Sequence, residues 1–269
     1  LAASRESRAD AEVNTRSTYW SIPVGLNVRY PLPGAYTLGA AFNYSERDYV
    51  DRKAFASLRT YSTSLDAVRI TSSVREVLAG YRFRFSETSR NTSSTDHAFS
   101  LGLSGKLIRG LNGNLRAGLQ TRASTGRVRG DDRYTSWFAS GSTSYDVSRK
   151  LRFSGTLSKD YSTTATDDVV DSANLSVSAG YAATAKVSAS LNASYGESTY
   201  VGKAAANVPA GAADPTRSDR FLSVNLSLSY ALNEHWQSAA TYGWFLNRST
   251  FALADFDRST WSANVSSRW

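Results

Sequence analysis

The sequence predicts an all-β protein: a closed antiparallel up-and-down transmembrane β-barrel of about fourteen strands, with roughly twelve to sixteen allowed. Three observations carry that expectation. Apolar and polar residues alternate with period two along segment after segment. These segments run to roughly 10–14 residues, where soluble strands are usually ~5–6. Short turns also alternate with longer polar loops between them, as successive hairpins of a transmembrane barrel require.

The alternation is clearest in three places. Leu222, Val224, Leu226, Leu228 and Tyr230 share one face, against Ser223, Asn225, Ser227 and Ser229 on the other. Leu175, Val177, Ala179 and Tyr181 oppose Ser176, Ser178 and Gly180, and Trp20, Ile22, Val24, Leu26, Val28 and Tyr30 oppose Asn27 and Arg29. A strand buried on both faces does not read so polar on one. A soluble sandwich alternates too, but the strand lengths, the loop asymmetry and the aromatics at outward strand ends disfavour it. Tyr30, Tyr36, Tyr181, Tyr195, Tyr230, Trp236, Trp261 and Trp269 are such aromatics.

Taken in order, the expected strands are 17–30, 35–50, 57–70, 74–88, 96–108, 114–126, 134–147, 150–162, 172–183, 187–200, 219–232, 236–249 and 258–269. Leu115, Leu151 and Val187 open strands at equal spacing, each after a tight polar turn, so a two-strand unit repeats. The short turns include Pro31–Gly34, Arg109–Asn114 and Asn233–His235, where Gly, Pro and Asn supply the backbone conformations of a sharp reversal. The longer loops are expected at 51–56, 88–95, 125–133, 162–171, 201–218 and 249–257. Thirteen strands would leave the first and last running the same way. Closure favours an even number, and residues 2–13 are the remaining candidate strand despite their charge. The organisation is therefore an N-terminal segment, 1–16, holding that candidate strand, and a barrel, 17–269.

Composition agrees. Mean hydropathy is negative, and no stretch approaches the ~20 apolar residues of a membrane helix. A barrel needs none, because lumen residues and loops dilute its apolar face. With Cys 0, a disulfide framework and a thiolate metal site are excluded. A start at Leu1 without an apolar leader suggests a processed or truncated chain. Net charge is +8, yet no nucleic-acid-binding motif accompanies it, so no nucleic-acid partner is expected.

Function is expected on the polar face. It is small and neutral through the C-terminal half, with Ser176, Ser178, Ser188, Ser190, Ser227 and Ser229. In the N-terminal half it gains Arg29, Arg82, Arg84, Lys106, Arg116, Arg122 and Arg152, against the carboxylates Asp66, Glu76, Asp146 and Asp160. Two readings stay open: a basic stripe on a water-filled path, favouring anions, or charges that pair across the lumen and brace its wall. No catalytic residue, metal site or cofactor is expected. Asp96 and His97 are adjacent and therefore point to opposite faces of a strand. The carboxylates Asp131, Asp132, Asp167, Asp168 and Asp171 lack the ligand spacing of a calcium loop.

The terminal segment Trp261-Ser-Ala-Asn-Val-Ser-Ser-Arg-Trp269 places Trp261, Val265 and Trp269 on one face. It resembles the C-terminal signal read by the barrel-assembly machinery. The hairpin series from about Thr18 to Trp269, including Leu151-Arg-Phe-Ser-Gly-Thr-Leu-Ser158 and Tyr195-Gly-Glu-Ser198, resembles uncharacterised outer-membrane β-barrel proteins of Gram-negative bacteria. In particular it is similar to the β-barrel porin type often linked to exopolysaccharide export. That resemblance implies an integral outer-membrane location. It also implies the lipid bilayer and the assembly machinery as partners, with a periplasmic or polysaccharide-export protein as a further candidate. The expected function is a passive channel for anionic solutes or for export of a polysaccharide. The alternative is a non-conducting scaffold barrel that anchors a partner at the cell surface.

Overall fold

The computed structural model describes residues 2–5, 18–51, 55–126, 130–164, 169–201, 217–251 and 254–267. They form one antiparallel sheet of fourteen strands in strict sequence order. The strands are β1 (Ala2–Arg5), β2 (Thr18–Leu32), β3 (Tyr36–Tyr49), β4 (Leu58–Ser72), β5 (Arg75–Thr88), β6 (Ser93–Ile108) and β7 (Leu111–Gly126). They continue as β8 (Gly130–Asp146), β9 (Leu151–Thr163), β10 (Val169–Ala182), β11 (Val187–Val201), β12 (Ser218–Ala231), β13 (Trp236–Ser249) and β14 (Phe256–Ser267). The up-and-down barrel topology is thus as the alternation predicts. A ladder joining β14 to β1 is not among the bonds between described residues.

Of the candidate strand at 2–13, Ala2–Arg5 pairs with Thr18–Ser21, and residues 6–17 lie outside the described residues. Several strands begin earlier than expected. β6 starts at Ser93, and the β7–β8 ladder runs on to Gly126↔Gly130. Half of the loop expected at 88–95, and the described residues of the loop expected at 125–133, are therefore strand. Polar residues do not end a ladder whose backbone groups still find partners, so Asp and Arg there mark emergence into water, not the end of pairing.

The turn between β2 and β3 explains itself locally. Gly34 has φ 76 and is followed by Ala35 at φ 63, a left-handed pair that reverses the chain; Gly34, without a Cβ, enters that region freely. A second glycine, Gly105, has φ 102 inside β6, beside the register shift at Lys106/Ile108.

Burial is inverted relative to a water-soluble protein. Leu226, Leu228, Val177 and Leu175 are exposed, while Asp96, Gln120, Arg122 and Asn247 are almost fully enclosed. Water does not stabilise such an apolar exterior; lipid does, and the alternation puts it on the outside.

Candidate functional site

The lumen is organised by two ion-pair systems and one inward-turned hairpin. The lower system is local. Arg116 on β7 donates from Nη1 and Nη2 to Oδ1 and Oδ2 of Asp66 on β4, both at 3.0 Å. To do so it crosses β5 and β6, where Gly80 and Ser100 occupy the row paired with Asp66. A Cβ at Gly80 would collide with the Asp66 carboxylate, so the missing side chain is what lets the bridge lie flat on the wall.

The upper system is larger and deeper. Asp96 accepts from Arg122 Nε at 2.6 Å and Nη2 at 2.8 Å, and from Arg84 Nε at 2.5 Å. Arg84 also donates to Asp160 from Nη1 and Nη2, each at 3.1 Å. Arg82 reaches the same carboxylate at 2.9 and 3.0 Å. Three arginines thus share two aspartates across β5, β6, β7 and β9. Such pairing repays desolvation only with saturated geometry, and Arg84 and Arg122 have it. Arg84 Nη2 also donates to the Tyr161 carbonyl at 2.8 Å, and Arg122 Nη1 to the Ser162 carbonyl at 3.0 Å.

Those carbonyls belong to a strand end that has left the wall. The β8–β9 ladder stops at Ala139↔Lys159, although β7 stays paired with β8 up to Gly130 and β9 with β10 up to Thr163↔Val169. Above Lys159 the end of β9, still paired with β10, therefore leaves β8 and turns inward, while β10 stays laddered to β11. Tyr161 is on the outward phase with Phe153 and Leu157, yet only 3% of it is exposed. Its ring lies 5.5 Å from the guanidinium of lumen-facing Arg122 and 6.4 Å from the ring of Tyr134. Outward-phase Asp171 accepts from inward-phase Ser136 at 3.0 Å, and Lys159 Nζ bonds both residues. The outer face of this hairpin packs on the inner face of β8. It narrows the loop end of the lumen to a chamber of about 320 Å³, lined partly by Arg47, Arg84, Arg122 and Tyr161.

At the turn end the C-terminal half leaves a cavity of about 730 Å³. Its wall includes Gly180, Ser188, Ser190, Ser227, Ser229 and Arg152. Hydroxyls here pair with one another across strands, as in Ser154 with Ser178 at 2.5 Å and Ser176 with Ser194. Toward the loop end, lumen-phase Phe221, Phe245 and Phe256 form a stacked ladder, with centroids 5.7 and 5.6 Å apart. Arg258 lies over Phe245 and Phe256 at 5.6 and 5.9 Å.

Of the seven expected basic residues, Arg82, Arg84 and Arg122 meet in the upper cluster and Arg116 in the lower bridge. Arg152 pairs with Asp146 at an exposed rim, and exposed Arg29 and Lys106 lie near the turn end, apart from both systems. The bracing geometry is thus what the arginines of β5 and β7 adopt. Asp96 and His97 do not meet, since His97 bonds Tyr81 Oη at 2.7 Å on the outer side. Asp167 and Asp168, and the side chains of Asp131 and Asp132, lie outside the described residues. Trp261 and Val265 are outward and strongly exposed, and Trp269 lies outside the described residues. Sequence reasoning missed the Phe ladder, although its signal is legible: Phe221, Phe245 and Phe256 break alternation by standing on the polar phase.

An apolar exterior, a polar and ion-paired interior and a single up-and-down sheet in sequence order define an integral β-barrel of the outer-membrane type. Solved structures of similar shape agree. The FrpB iron transporter from Neisseria meningitidis (F3-3 variant) superposes with TM-score 0.58 at 10% identity over 95% of this chain and 49% of its own. The pyoverdine outer membrane receptor FpvA from Pseudomonas aeruginosa gives 0.57 at 11% identity, over 98% and 50%. The alcaligin outer membrane receptor FauA from Bordetella pertussis gives 0.53 at 10%, over 93% and 50%. The chain spans about half the length of these receptors, and the likeness is one of fold. No protein-family model matches the sequence, and no curated protein matches it.

Proposed function

We propose that this protein is an outer-membrane channel that passes saccharide chains or small anionic solutes through the half of the lumen formed by β10 to β14. The observation that carries the reading is the Phe221–Phe245–Phe256 ladder. Aromatic faces on a lumen wall give the apolar faces of sugar rings a continuous surface, while the serine lining toward the turn end offers hydroxyls of both donor and acceptor character. Arg258 over the ladder adds one cation where an acidic sugar would pass. The paired arginines of β5 and β7 favour this half as the path, because their charge is largely neutralised in place. A periplasmic or export partner at the turn end, and the assembly machinery acting on Trp261, Val265 and Trp269, belong to the same proposal.

Conductance in a planar bilayer tests it. Single barrels should conduct, and added neutral or hexuronate oligosaccharides should interrupt the current, with shorter interruptions in Phe245→Ala. Conduction without any interruption would remove the saccharide reading. A correctly folded barrel that does not conduct would favour the scaffold alternative.

A further inference from the structure

We propose that the seam between β8 and β9 is a lateral ligand site, closed by packed side chains and able to part toward the bilayer, for an amphipathic anion of the long-chain carboxylate class. Two independent observations meet there. The first is the broken ladder. At a fully laddered position, parting two strands breaks backbone hydrogen bonds. Above Ala139↔Lys159, parting β8 from β9 breaks, among the described residues, side-chain contacts alone, since each strand keeps its other neighbour. Beside the Ser136–Asp171–Lys159 contact, the overlapping surfaces carry the aromatic rings of Phe138 and Tyr161, both buried. An apolar chain fits such a surface, and a hydrated ion does not.

The second observation is a pair of unmet donors behind that surface. Among the described residues, Arg82 Nε and Gln120 Nε2 are buried without a hydrogen-bond partner, and Gln120 is only 1% exposed. Buried donors left unpaired are costly, so they mark a place where an acceptor belongs. They lie at the inner end of the seam. Gln120 is the cross-strand partner of Ser136, and the Arg82 guanidinium sits 5.1 Å from the Phe138 ring. The surrounding cluster holds three arginines against Asp96 and Asp160, so the acceptor it lacks is negative. A carboxylate head on Arg82 and Gln120, with its chain laid between Phe138 and Tyr161 toward the bilayer, satisfies both observations. This is independent of axial conduction.

The test uses the whole purified barrel and a fluorescent C16 carboxylate, with the matching C16 alcohol as control. Saturable binding of the carboxylate should exceed that of the alcohol, and Gln120→Leu should weaken it by about tenfold, the scale of one hydrogen bond to a charged group. The seam is then closed by placing Ser136→Cys and Asp171→Cys in this cysteine-free chain and joining them with a short bifunctional methanethiosulfonate. Joining should abolish uptake of the carboxylate from vesicles, and dithiothreitol should restore it. Equal binding of acid and alcohol, no saturable binding, or unchanged uptake by the joined barrel would each overturn the proposal. Ion conductance measured on the same joined sample reports the axial path separately.

Discussion

Arg122 and Asp96 form a two-pronged ion pair, Nε to Oδ1 at 2.6 Å and Nη2 to Oδ2 at 2.8 Å, with each side chain only 1% exposed. Removing one partner leaves the other's charge enclosed, which costs about 3–5 kcal/mol in buried pairs. Arg122→Met should therefore destabilise the barrel strongly in urea unfolding from lipid. Asp96 keeps Arg84, so the loss should sit toward the lower end of that range. Arg152→Ala, which breaks the exposed, solvent-screened pair with Asp146, should leave stability almost unchanged. Equal losses for the two variants would contradict the burial assigned to the cluster.

The contrast between these two pairs marks what the sequence could reveal. Alternation fixes which face a residue occupies, so Arg82, Arg84, Arg116, Arg122 and Arg152 were all legible as lumen residues. Which carboxylate each would meet was not. Asp66 and Arg116 are brought together by sheet curvature and by the small residues at Gly80 and Ser100 between them. Asp160 meets Arg82 and Arg84 only because the β9–β10 hairpin leaves β8. Tyr161 shows the limit most plainly: period-two reasoning puts it in lipid, and the inward turn buries it.

Small residues on the wall differ in what they make room for. At Gly118 a Cβ would overlap the Phe99 carbonyl oxygen, a backbone atom that cannot step aside. At Gly180 a Cβ would meet nothing within 4 Å. Gly118→Ala should thus destabilise by more than about 2 kcal/mol, the range of substitutions that force a backbone shift. Gly180→Ala should instead be neutral or stabilising by about 0.5–1 kcal/mol, since alanine loses less backbone freedom on folding. Unfolding midpoints in the same lipid check the pair, and a stable Gly118→Ala would mean that β6 and β7 lie farther apart there.

Leu226 and Ser227 are neighbours on β12 with opposite surroundings: Leu226 is 49% exposed on the apolar exterior, and Ser227 lines the lumen cavity. Arginine on the lipid face near mid-bilayer costs about 2–4 kcal/mol. Leu226→Arg should pay that in a folding assay in lipid vesicles, whereas Ser227→Arg should change stability little and narrow the cavity. Equal tolerance of the two would refute the facing of β12, and with it the facing of β11 and β13, which are locked to β12 by continuous ladders.

The final prediction concerns Arg82 and Arg84, which do two things at once. They hold the charge of Asp160, and Arg84 holds the inward-turned strand end through the Tyr161 carbonyl. Replacing both with Ser leaves the upper cluster with Arg122 against Asp96 and Asp160, so its net charge changes sign. Were the two arginines free fixed charges, the variant would simply lose an anion preference. Because they are paired, the variant should instead swing toward cations, and its conductance should rise as the hairpin loosens. Both effects are read from reversal potential and single-channel current in a salt gradient. The swing should fade as ionic strength increases, because the screening length falls from ~10 Å at 0.1 M to ~3 Å at 1 M. A variant that drifts only to neutrality, with unchanged current, would mean that Arg82 and Arg84 neither shield Asp160 nor restrain β9.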